Sequence, residues 1–316
     1  MTKIAQPLIP QRADPFVYKH HDGMYYFTAS VPAFDLVELR CAPTLEGLAT
    51  AQPKVIWRKH ESGIMSLNIW APEIHYVFGK WYIYFAASQK DGRHRMYALE
   101  NDSANPMQGE FVEKGQINTG WESFTLDATH FSCQGREYWV WAQQEPDVIP
   151  GNSNLYIAQM LDGTTLKLPA TRLSIPEYDW ECQGYLVNEG PGILEHNGTL
   201  YMTYSGSATD ERYAVGLLTA SADSDLLDAA SWHKSPVPVM VSEPERSLYG
   251  PGHNSFTKDE NGRDVLVFHA RPYPGFHGTP LSDPNRHCFL RHVRYDEQDR
   301  PVFAAGADHE MIDPYV

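Results

Sequence analysis

The chain has 316 residues, of which 42% are hydrophobic and 21% charged, and its formal net charge at pH 7 is −15. These proportions are typical of a folded, soluble protein, and no apolar run approaches the roughly 18 residues that a membrane-spanning helix requires. The excess of negative charge makes nucleic acid and anionic membrane surfaces poor partners and favours a neutral, polar ligand.

The N-terminal stretch, residues 1–16, contains no apolar segment long enough for a secretion signal, so we expect a cytoplasmic location. The four cysteines, at positions 41, 133, 182 and 288, are widely separated and form no Cys-x-x-Cys pair. In a reducing compartment we expect them to be free thiols, and the spacing does not predict a structural zinc site.

Five predicted β-hairpins follow along the chain, each with an inner strand, a glycine-containing turn and a strand rich in aromatic residues. Their turn glycines are Gly23, Gly79, Gly135, Gly198 and Gly262, which are 56, 56, 63 and 64 residues apart. A repeat of this length suits a four-stranded sheet with its loops, which is one blade of a propeller. The sequence therefore predicts an all-β fold, a five-bladed β-propeller forming a single domain over residues 1–316. The blades are expected to start near residues 14, 70, 127, 189 and 253, and a pair of β-sandwiches or an irregular all-β domain is the alternative.

Polar and aromatic residues recur at the head of these repeats. The positions nine residues before the turn glycines, with one neighbour in the third repeat, are Asp14, Trp70, Leu126 (next to Asp127), Glu189 and His253. Taken singly, a carboxylate here is more often a turn or cap residue, and the histidine a core residue. Because the inner strands of a propeller line its channel, the shared position predicts that these side chains meet at one end of the channel.

Three carboxylates in one pocket suit acid–base chemistry. Repulsion and desolvation raise the pKa of one carboxylate, so that it stays protonated while another remains ionised. A protonated and an ionised carboxylate flanking a glycosidic bond are what sugar hydrolysis requires. The sequence contains no phosphate-binding loop, no His-Glu-x-x-His motif and no Gly-x-Ser-x-Gly motif, so the rival enzyme classes have no support.

The motifs together resemble glycoside hydrolase family 43. They are Asp-Pro-Phe at 14–16, Trp-Ala-Pro-Glu at 70–73, Asp127, Glu-Gly-Pro at 189–191 and GPGHNSF at 250–256, and the similarity covers essentially the full chain. The resemblance implies a five-bladed propeller that hydrolyses glycosides with inversion. Asp14 is then the general base, Glu189 the general acid, and Asp127 the residue that orients the acid and tunes its pKa. An inverting pair leaves room for water, with carboxyl groups roughly 6.5–9.5 Å apart.

The resemblance also implies residues for the substrate and for an ion. It implies that Arg271 binds the hydroxyls of the terminal sugar, with a structural ion pair as the alternative. Independently of the resemblance, a tryptophan at the mouth of a pocket is expected to form a stacking platform, with a core position as the alternative for Trp70. Phe34 and Asp35 are candidates for the sugar-binding rim, or else ordinary loop residues. His253 would lie near a channel ion, often calcium, held largely through water because calcium prefers oxygen ligands. No organic cofactor is predicted.

Three segments, ASVPAFD at 29–35, LNIWAPEIHY at 67–76 and NEGPGILEHNG at 188–198, look most like exo-acting 1,5-α-L-arabinofuranosidases. The expected substrate is an arabino-oligosaccharide. The alternatives are a β-xylosidase or an endo-arabinanase of the same fold, or a non-catalytic sugar-binding propeller. The sequence is compatible with a homo-oligomer and does not determine the oligomeric state.

Overall fold

A computed structural model describes residues 4–146, 153–307 and 310–314, which are almost entirely β-strands and loops. The first sheet comprises β1 (Ala13–Lys19), β2 (Tyr25–Ser30), β3 (Leu36–Ala42) and β4 (Lys54–Arg58). The second comprises β5 (Leu67–Val77), β6 (Lys80–Ser88), β7 (Arg95–Asn101) and β8 (Val112–Gln116). The third comprises β9 (Thr125–Cys133), β10 (Arg136–Gln143), β11 (Asn154–Met160) and β12 (Leu166–Ser174).

The remaining strands complete the ring. The fourth sheet comprises β13 (Asn188–His196), β14 (Thr199–Gly206), β15 (Ala214–Ser221) and β16 (His233–Lys234). The fifth comprises β17 (Tyr249–Lys258), β18 (Asp264–Arg271) and β19 (His287–His292), and β20 (Arg294–Tyr295) pairs with β21 (Pro301–Val302). Short 3-10 helices lie at Glu46–Ala49, Asp179–Glu181, Ala229–Ser231 and Pro244–Arg246. None of the helices in the described ranges could cross a membrane.

Each sheet is antiparallel with its strands in chain order, and the first strands of the five sheets form a closed ring. β1 contacts β5, β5 contacts β9, β9 contacts β13, β13 contacts β17, and β17 contacts β1. The predicted all-β, five-bladed propeller is therefore confirmed, and the sandwich and irregular alternatives are excluded. Cys41, Cys133, Cys182 and Cys288 are free thiols in this structure.

The N-terminal segment closes the ring on its outer side. Leu8 N–H donates to the carbonyl of Cys288 at 2.8 Å, and Cys288 N–H donates to the carbonyl of Ile9 at 3.0 Å. Residues 8–9 therefore lie antiparallel to β19, on the edge that β18 does not occupy. Both side chains are buried in an apolar cluster with Cys288 and Leu290, so the closure also buries hydrophobic surface.

Neighbouring sheets are held together by apolar side chains between their faces. The cluster shared by the first and second sheets includes Tyr26, Val37, Trp81, Ile83 and Phe85, all inaccessible to solvent. A larger cluster joins residues of the second, third and fourth sheets. The aromatic and β-branched residues that predicted strands thus also supply the packing between blades.

One local feature repeats in all five inner strands and positions the site. Each contains a residue with left-handed backbone at a break in the strand register: Asp14 (φ 53°), Ala71 (φ 44°), Asp127 (φ 55°), Gly190 (φ 54°) and His253 (φ 41°). A bulge of this kind bends a strand and redirects its side chains. The five inner strands therefore turn at equivalent points, at the same end of the channel.

These bulges refine the predicted register. Counting nine residues back from each turn aligned Trp70 and Glu189 with Asp14, whereas the left-handed residues in those two strands are Ala71 and Gly190. The reason is turn length, because residues 20–24 and 259–263 connect the first and fifth hairpins, whereas two residues connect the other three. Trp70 and Glu189 consequently stand one residue before the bulge, while Asp14, Asp127 and His253 occupy it.

Candidate active site

A cavity of about 560 Å³ opens where the five inner strands bend. It is lined by all three predicted catalytic carboxylates and by two further predicted residues, namely Asp14, Asp127, Glu189, Trp70 and His253. Each of the five sheets contributes one of these side chains, so the inference from repeat position correctly predicted that they meet. Apolar side chains form much of the remaining wall, including Phe124, Leu126, Val187 and Leu281.

Asp14 is a buried carboxylate surrounded by hydrogen-bond donors and a cation. Ser30 Oγ donates to its Oδ2 at 2.6 Å, and Arg286 Nη1 donates to its Oδ1 at 3.2 Å. Its own N–H donates to His269 Nδ1 at 3.0 Å, which fixes the bulge. Burial opposes ionisation, but Arg286, together with His253 and His269, holds the pKa of Asp14 well below its ordinary value. Asp14 is therefore ionised at neutral pH.

Asp127 differs from Asp14 in that its surroundings oppose ionisation. It is buried and receives a hydrogen bond on Oδ2 from Gly190 N–H at 3.2 Å. Burial, followed by the nearby charges of Glu189, Asp14 and Glu73, raises the pKa of Asp127 well above its ordinary value. Asp127 therefore retains its proton to higher pH than Asp14 does, as expected when carboxylates share a site.

Glu189 lies between these two extremes. Its side chain is partly buried, and Tyr213 Oη donates to its Oε1 at 2.7 Å. Burial raises the pKa of Glu189 to about 7; the Tyr213 hydrogen bond and Arg286 oppose this rise, and the charge of Asp14 adds to it. A carboxyl group with this pKa holds its proton for part of the time at neutral pH and is poised to donate it.

His253 lies next to two of the three carboxylates. Its Nδ1 is 3.4 Å from Asp14 Oδ1 and 3.5 Å from Asp127 Oδ2, and burial lowers its pKa. In the described ranges, no group of three or more His, Cys, Asp or Glu side chains is arranged to hold a metal ion. These donors do not fit direct calcium coordination, which takes six to eight oxygen ligands. An ion held by His253 through water stays a prediction.

Trp70 forms an aromatic wall of the cavity. Its ring stacks on His94 with centroids 3.7 Å apart and planes 15° apart, and Phe34 meets it edge-on at 6.0 Å. Phe34 thus supports Trp70 from outside the cavity and does not line it. Asp35 also lies outside the lining, where its carbonyl accepts a hydrogen bond from Lys59 N–H at 3.0 Å. The structure therefore brings Trp70 to the site, and Phe34 only indirectly.

The arginine predicted to bind sugar, Arg271, lies behind the cavity wall. It is 2% exposed, donates to the carbonyls of Thr209 (2.7 Å) and Pro280, and has its Nε 3.7 Å from Asp283 Oδ2. Thr209 and Pro280 line the cavity, so Arg271 ties together the two loops that form its edge. The cavity's arginine beside Asp14 is Arg286 instead.

Sequence reasoning missed two residues of this site, Arg286 and Tyr213. Both lie in loops that precede outer strands, Arg286 just before β19 and Tyr213 just before β15. Neither occupies a repeat position, so the register of the hairpins held no signal for them. Only the folded chain brings Arg286 next to Asp14, which is 272 residues away in sequence.

The comparisons with known proteins agree with this geometry. Residues 4–301 match the sequence model of a family described as glycosyl hydrolases family 43. The chain is 50% identical over 300 residues to an extracellular exo-α-(1→5)-L-arabinofuranosidase of Streptomyces avermitilis, covering 94% of this chain and 62% of that protein. It is 51% identical over 277 residues to the enzyme of the same name from Streptomyces chartreusis, covering 87% and 84%.

The fold has a similarly close counterpart among solved structures. A crystal structure of an α-L-arabinofuranosidase from Lactobacillus brevis matches with a TM-score of 0.92 and 52% sequence identity, covering 96% of this chain and 97% of that one. The chain spans 62% of the length of its Streptomyces avermitilis relative. The match to the family model, by contrast, extends over nearly the whole of the present chain.

Proposed function

The chain belongs to family 43 of the glycosyl hydrolases, and we propose that it removes terminal α-L-arabinofuranosyl groups from 1,5-linked arabino-oligosaccharides. The observation that supports hydrolysis most strongly is the contrast between two carboxyl groups in one cavity. Asp14 is held ionised, whereas the pKa of Glu189 is raised to about 7. The names of the three relatives support arabinofuranosides as the substrate class.

In the proposed reaction, Asp14 takes a proton from a water molecule as that water attacks the anomeric carbon. Glu189 gives its proton to the glycosidic oxygen, which leaves with the bonding electron pair of the broken C–O bond. Negative charge therefore moves from Asp14 to Glu189, and the pair carries one negative charge throughout. Because the pKa of Asp127 is raised well above its ordinary value, this residue opposes a second negative charge in the cavity. Its Oδ2 also accepts a hydrogen bond from the N–H of Gly190, which follows the acid.

A β-xylosidase or an endo-arabinanase would use the same carboxylates. These two activities are the alternatives within this fold. A non-catalytic sugar-binding propeller is the alternative from a different class. Such a protein would need the aromatic wall at Trp70, but it would gain nothing from carboxyl groups with opposed pKa values, since binding a neutral sugar requires no proton transfer.

The rates at which simple glycosides are hydrolysed distinguish these possible functions. The purified protein should hydrolyse nitrophenyl α-L-arabinofuranoside and 1,5-linked arabino-oligosaccharides faster than nitrophenyl β-D-xyloside. A strong preference for the xyloside would favour the β-xylosidase, and cleavage inside long arabinan chains the endo-arabinanase. The absence of turnover with any of these compounds would leave the sugar-binding alternative.

Variants of the two carboxylates test their roles. Glu189→Gln should slow hydrolysis of arabino-oligosaccharides by about 10²- to 10⁴-fold and affect the nitrophenyl glycoside far less, because only the poor leaving group needs protonation. Asp14→Asn should slow both reactions. Glu195→Gln is a matched control, since Glu195 is an exposed glutamate on the same strand, β13. Equal losses with both substrates in Glu189→Gln would argue against its role as the acid.

The predicted cytoplasmic location does not agree with the names of the two Streptomyces relatives, which describe extracellular enzymes. Those names favour an extracellular site of action for this chain. Immunodetection in the culture medium and in washed cells of the source organism measures the location directly.

A further inference from the structure

Tyr213 connects Glu189 with the bulge of the fifth sheet. Its Oη donates to Glu189 Oε1 at 2.7 Å. Next to Gly252, which the tyrosine ring contacts, Ser205 Oγ accepts a hydrogen bond from His253 N–H at 2.8 Å. The acid of the fourth sheet and the histidine of the fifth therefore share the surroundings of one tyrosine.

The ring of Tyr213 is held in place by contacts on two sides. It is 1% exposed and stacks on His269 with the planes 2° apart and the centroids separated by 5.8 Å. On another side it packs against Gly252, where an added Cβ would lie 2.3 Å from the ring and 2.9 Å from Ser205 Oγ. The hydroxyl thus has little freedom to leave Glu189, and glycine at position 252 makes this close packing possible.

We propose that Tyr213 is a positioning residue that assigns different tasks to the two oxygens of Glu189. By donating to Oε1, Tyr213 favours the form of Glu189 in which Oε1 is the carbonyl oxygen, because the carbonyl oxygen of a neutral carboxyl group accepts a hydrogen bond more strongly than its hydroxyl oxygen does. The proton is therefore placed on Oε2, the oxygen left to meet the leaving group. This inference rests on the proposed function of Glu189 as general acid.

The same contact stabilises Glu189 once it has given up its proton. When the Oε2–H bond breaks and the O–H bond of the leaving alcohol forms, the new carboxylate keeps its hydrogen bond from Tyr213. The other charged or titratable groups that act on Glu189 are Asp14, Asp127 and Arg286. Because hydrogen bonds to a charged acceptor favour the charged form, loss of the tyrosine hydroxyl should make Glu189 harder to ionise.

Tyr213→Phe removes the hydroxyl and leaves the ring in place. We expect the alkaline limb of the kcat/KM profile, where Glu189 loses its proton, to move upward by about one pH unit. With arabino-oligosaccharides kcat should fall about tenfold at unchanged KM, and with the nitrophenyl arabinofuranoside it should fall much less. Tyr204→Phe is the matched control, since Tyr204 Oη also donates to a buried glutamate, Glu181 Oε1 at 2.8 Å, but does not line the cavity. Its pH profile should equal that of the wild type.

Ser205→Ala provides a second variant, in case Tyr213→Phe does not fold as judged by its thermal unfolding. It removes the hydroxyl that holds His253 N–H beside Gly252, against which the Tyr213 ring packs, so the alkaline limb should move in the same direction by a smaller amount. An unmoved limb in the folded variants, or a raised KM with unchanged kcat, would overturn the positioning role and leave Tyr213 as a packing or substrate-contact residue. Absence of turnover in the wild type would instead overturn the proposed function, and this inference with it.

Discussion

Arg286 is the residue whose charge most clearly separates Asp14 from the other carboxyl groups of the cavity. Asp14, Asp127 and Glu189 are all taken out of bulk water, which by itself raises the pKa of each. Among the described residues, a guanidinium lies within hydrogen-bond distance of Asp14 and of neither other carboxyl group, with Arg286 Nη1 3.2 Å from Asp14 Oδ1. Arg286 also lowers the pKa of Glu189, but its direct contact is with Asp14, and this contact is the main difference between base and acid in the site.

Replacing Arg286 with methionine should raise the pKa of Asp14. A base must be ionised to act, so the acid limb of the kcat/KM profile should move to higher pH, by about one to two pH units. The rate at the pH optimum should also fall, because Arg286 lines the cavity. Measuring kcat/KM for the nitrophenyl arabinofuranoside between pH 3 and pH 9 tests this expectation.

Arg271→Met is the control for that experiment. Arg271 is buried and ties the loops of Thr209 and Pro280 together, so its loss should lower the midpoint of thermal unfolding. It should leave the acid limb where it is in the wild type, since Arg271 does not contact Asp14. A shifted limb in Arg271→Met, together with an unshifted one in Arg286→Met, would reverse the assignment of the two arginines.

At this scale the sequence predicted the residues that share a repeat position and failed for those that do not. Asp14, Asp127, Glu189, Trp70 and His253 follow from the alignment of hairpins, because strands in equivalent positions place equivalent residues at the same end of a channel. Arg271 ends the strand β18 and points into the wall, whereas Arg286 reaches the cavity from a loop. Loop paths have no such periodicity, so the choice between two arginines needed the structure.

At the scale of the strand, the bulge is the element that builds the site. In the second sheet the bulge residue is Ala71, and its N–H donates to Ser30 Oγ at 2.8 Å. Ser30 in turn donates to Asp14 Oδ2 at 2.6 Å. A left-handed residue in the second blade thus helps to orient the carboxylate of the first. Residues other than glycine rarely adopt this conformation, and its recurrence in every inner strand marks the cavity end of the channel.

Two alanine-to-glycine substitutions test whether this backbone conformation is intrinsic to the fold. At Ala71, with φ of 44°, glycine relieves the left-handed strain and should cost little stability. Ala86 lies nearby in β6, where it pairs with Trp70. Glycine at this position should lower stability, because it raises the conformational entropy of the unfolded chain and removes a buried methyl group. We expect urea unfolding to show Ala71→Gly as more stable than Ala86→Gly by about 1 kcal/mol. Equal losses would argue against a left-handed residue at position 71.

The hairpin turns could be predicted from the sequence, but the bulges could not. Phe78-Gly79, Gln134-Gly135 and Asn197-Gly198 all have positive φ at both residues, as two-residue hairpin turns require. The glycines at these positions predicted the turns. A bulge in the strand's interior has no comparable signature when its left-handed residue is Asp, Ala or His, and the one-residue offset of Trp70 and Glu189 therefore went unpredicted.

At the scale of the whole molecule, the cavity exists only because the ring is closed. Its predicted carboxylates lie on the first, third and fourth sheets, and the histidine next to two of them lies on the fifth. Residues 8–9 pair with β19 and join the start of the described chain to its last sheet. The relative position of base and acid is thus set by the packing of five sheets, rather than by any local segment.

The stereochemistry of the product depends on this whole-molecule geometry, and measuring it decides whether Asp14 and Glu189 act as base and acid. If Asp14 activates water on one side of the sugar while Glu189 protonates the leaving oxygen on the other, hydrolysis inverts the anomeric carbon. Proton NMR spectra recorded in the first minutes of hydrolysis of an α-L-arabinofuranoside identify the first product before mutarotation. If the two carboxylates act as proposed, β-L-arabinofuranose appears first; initial release of the α anomer would show that they do not.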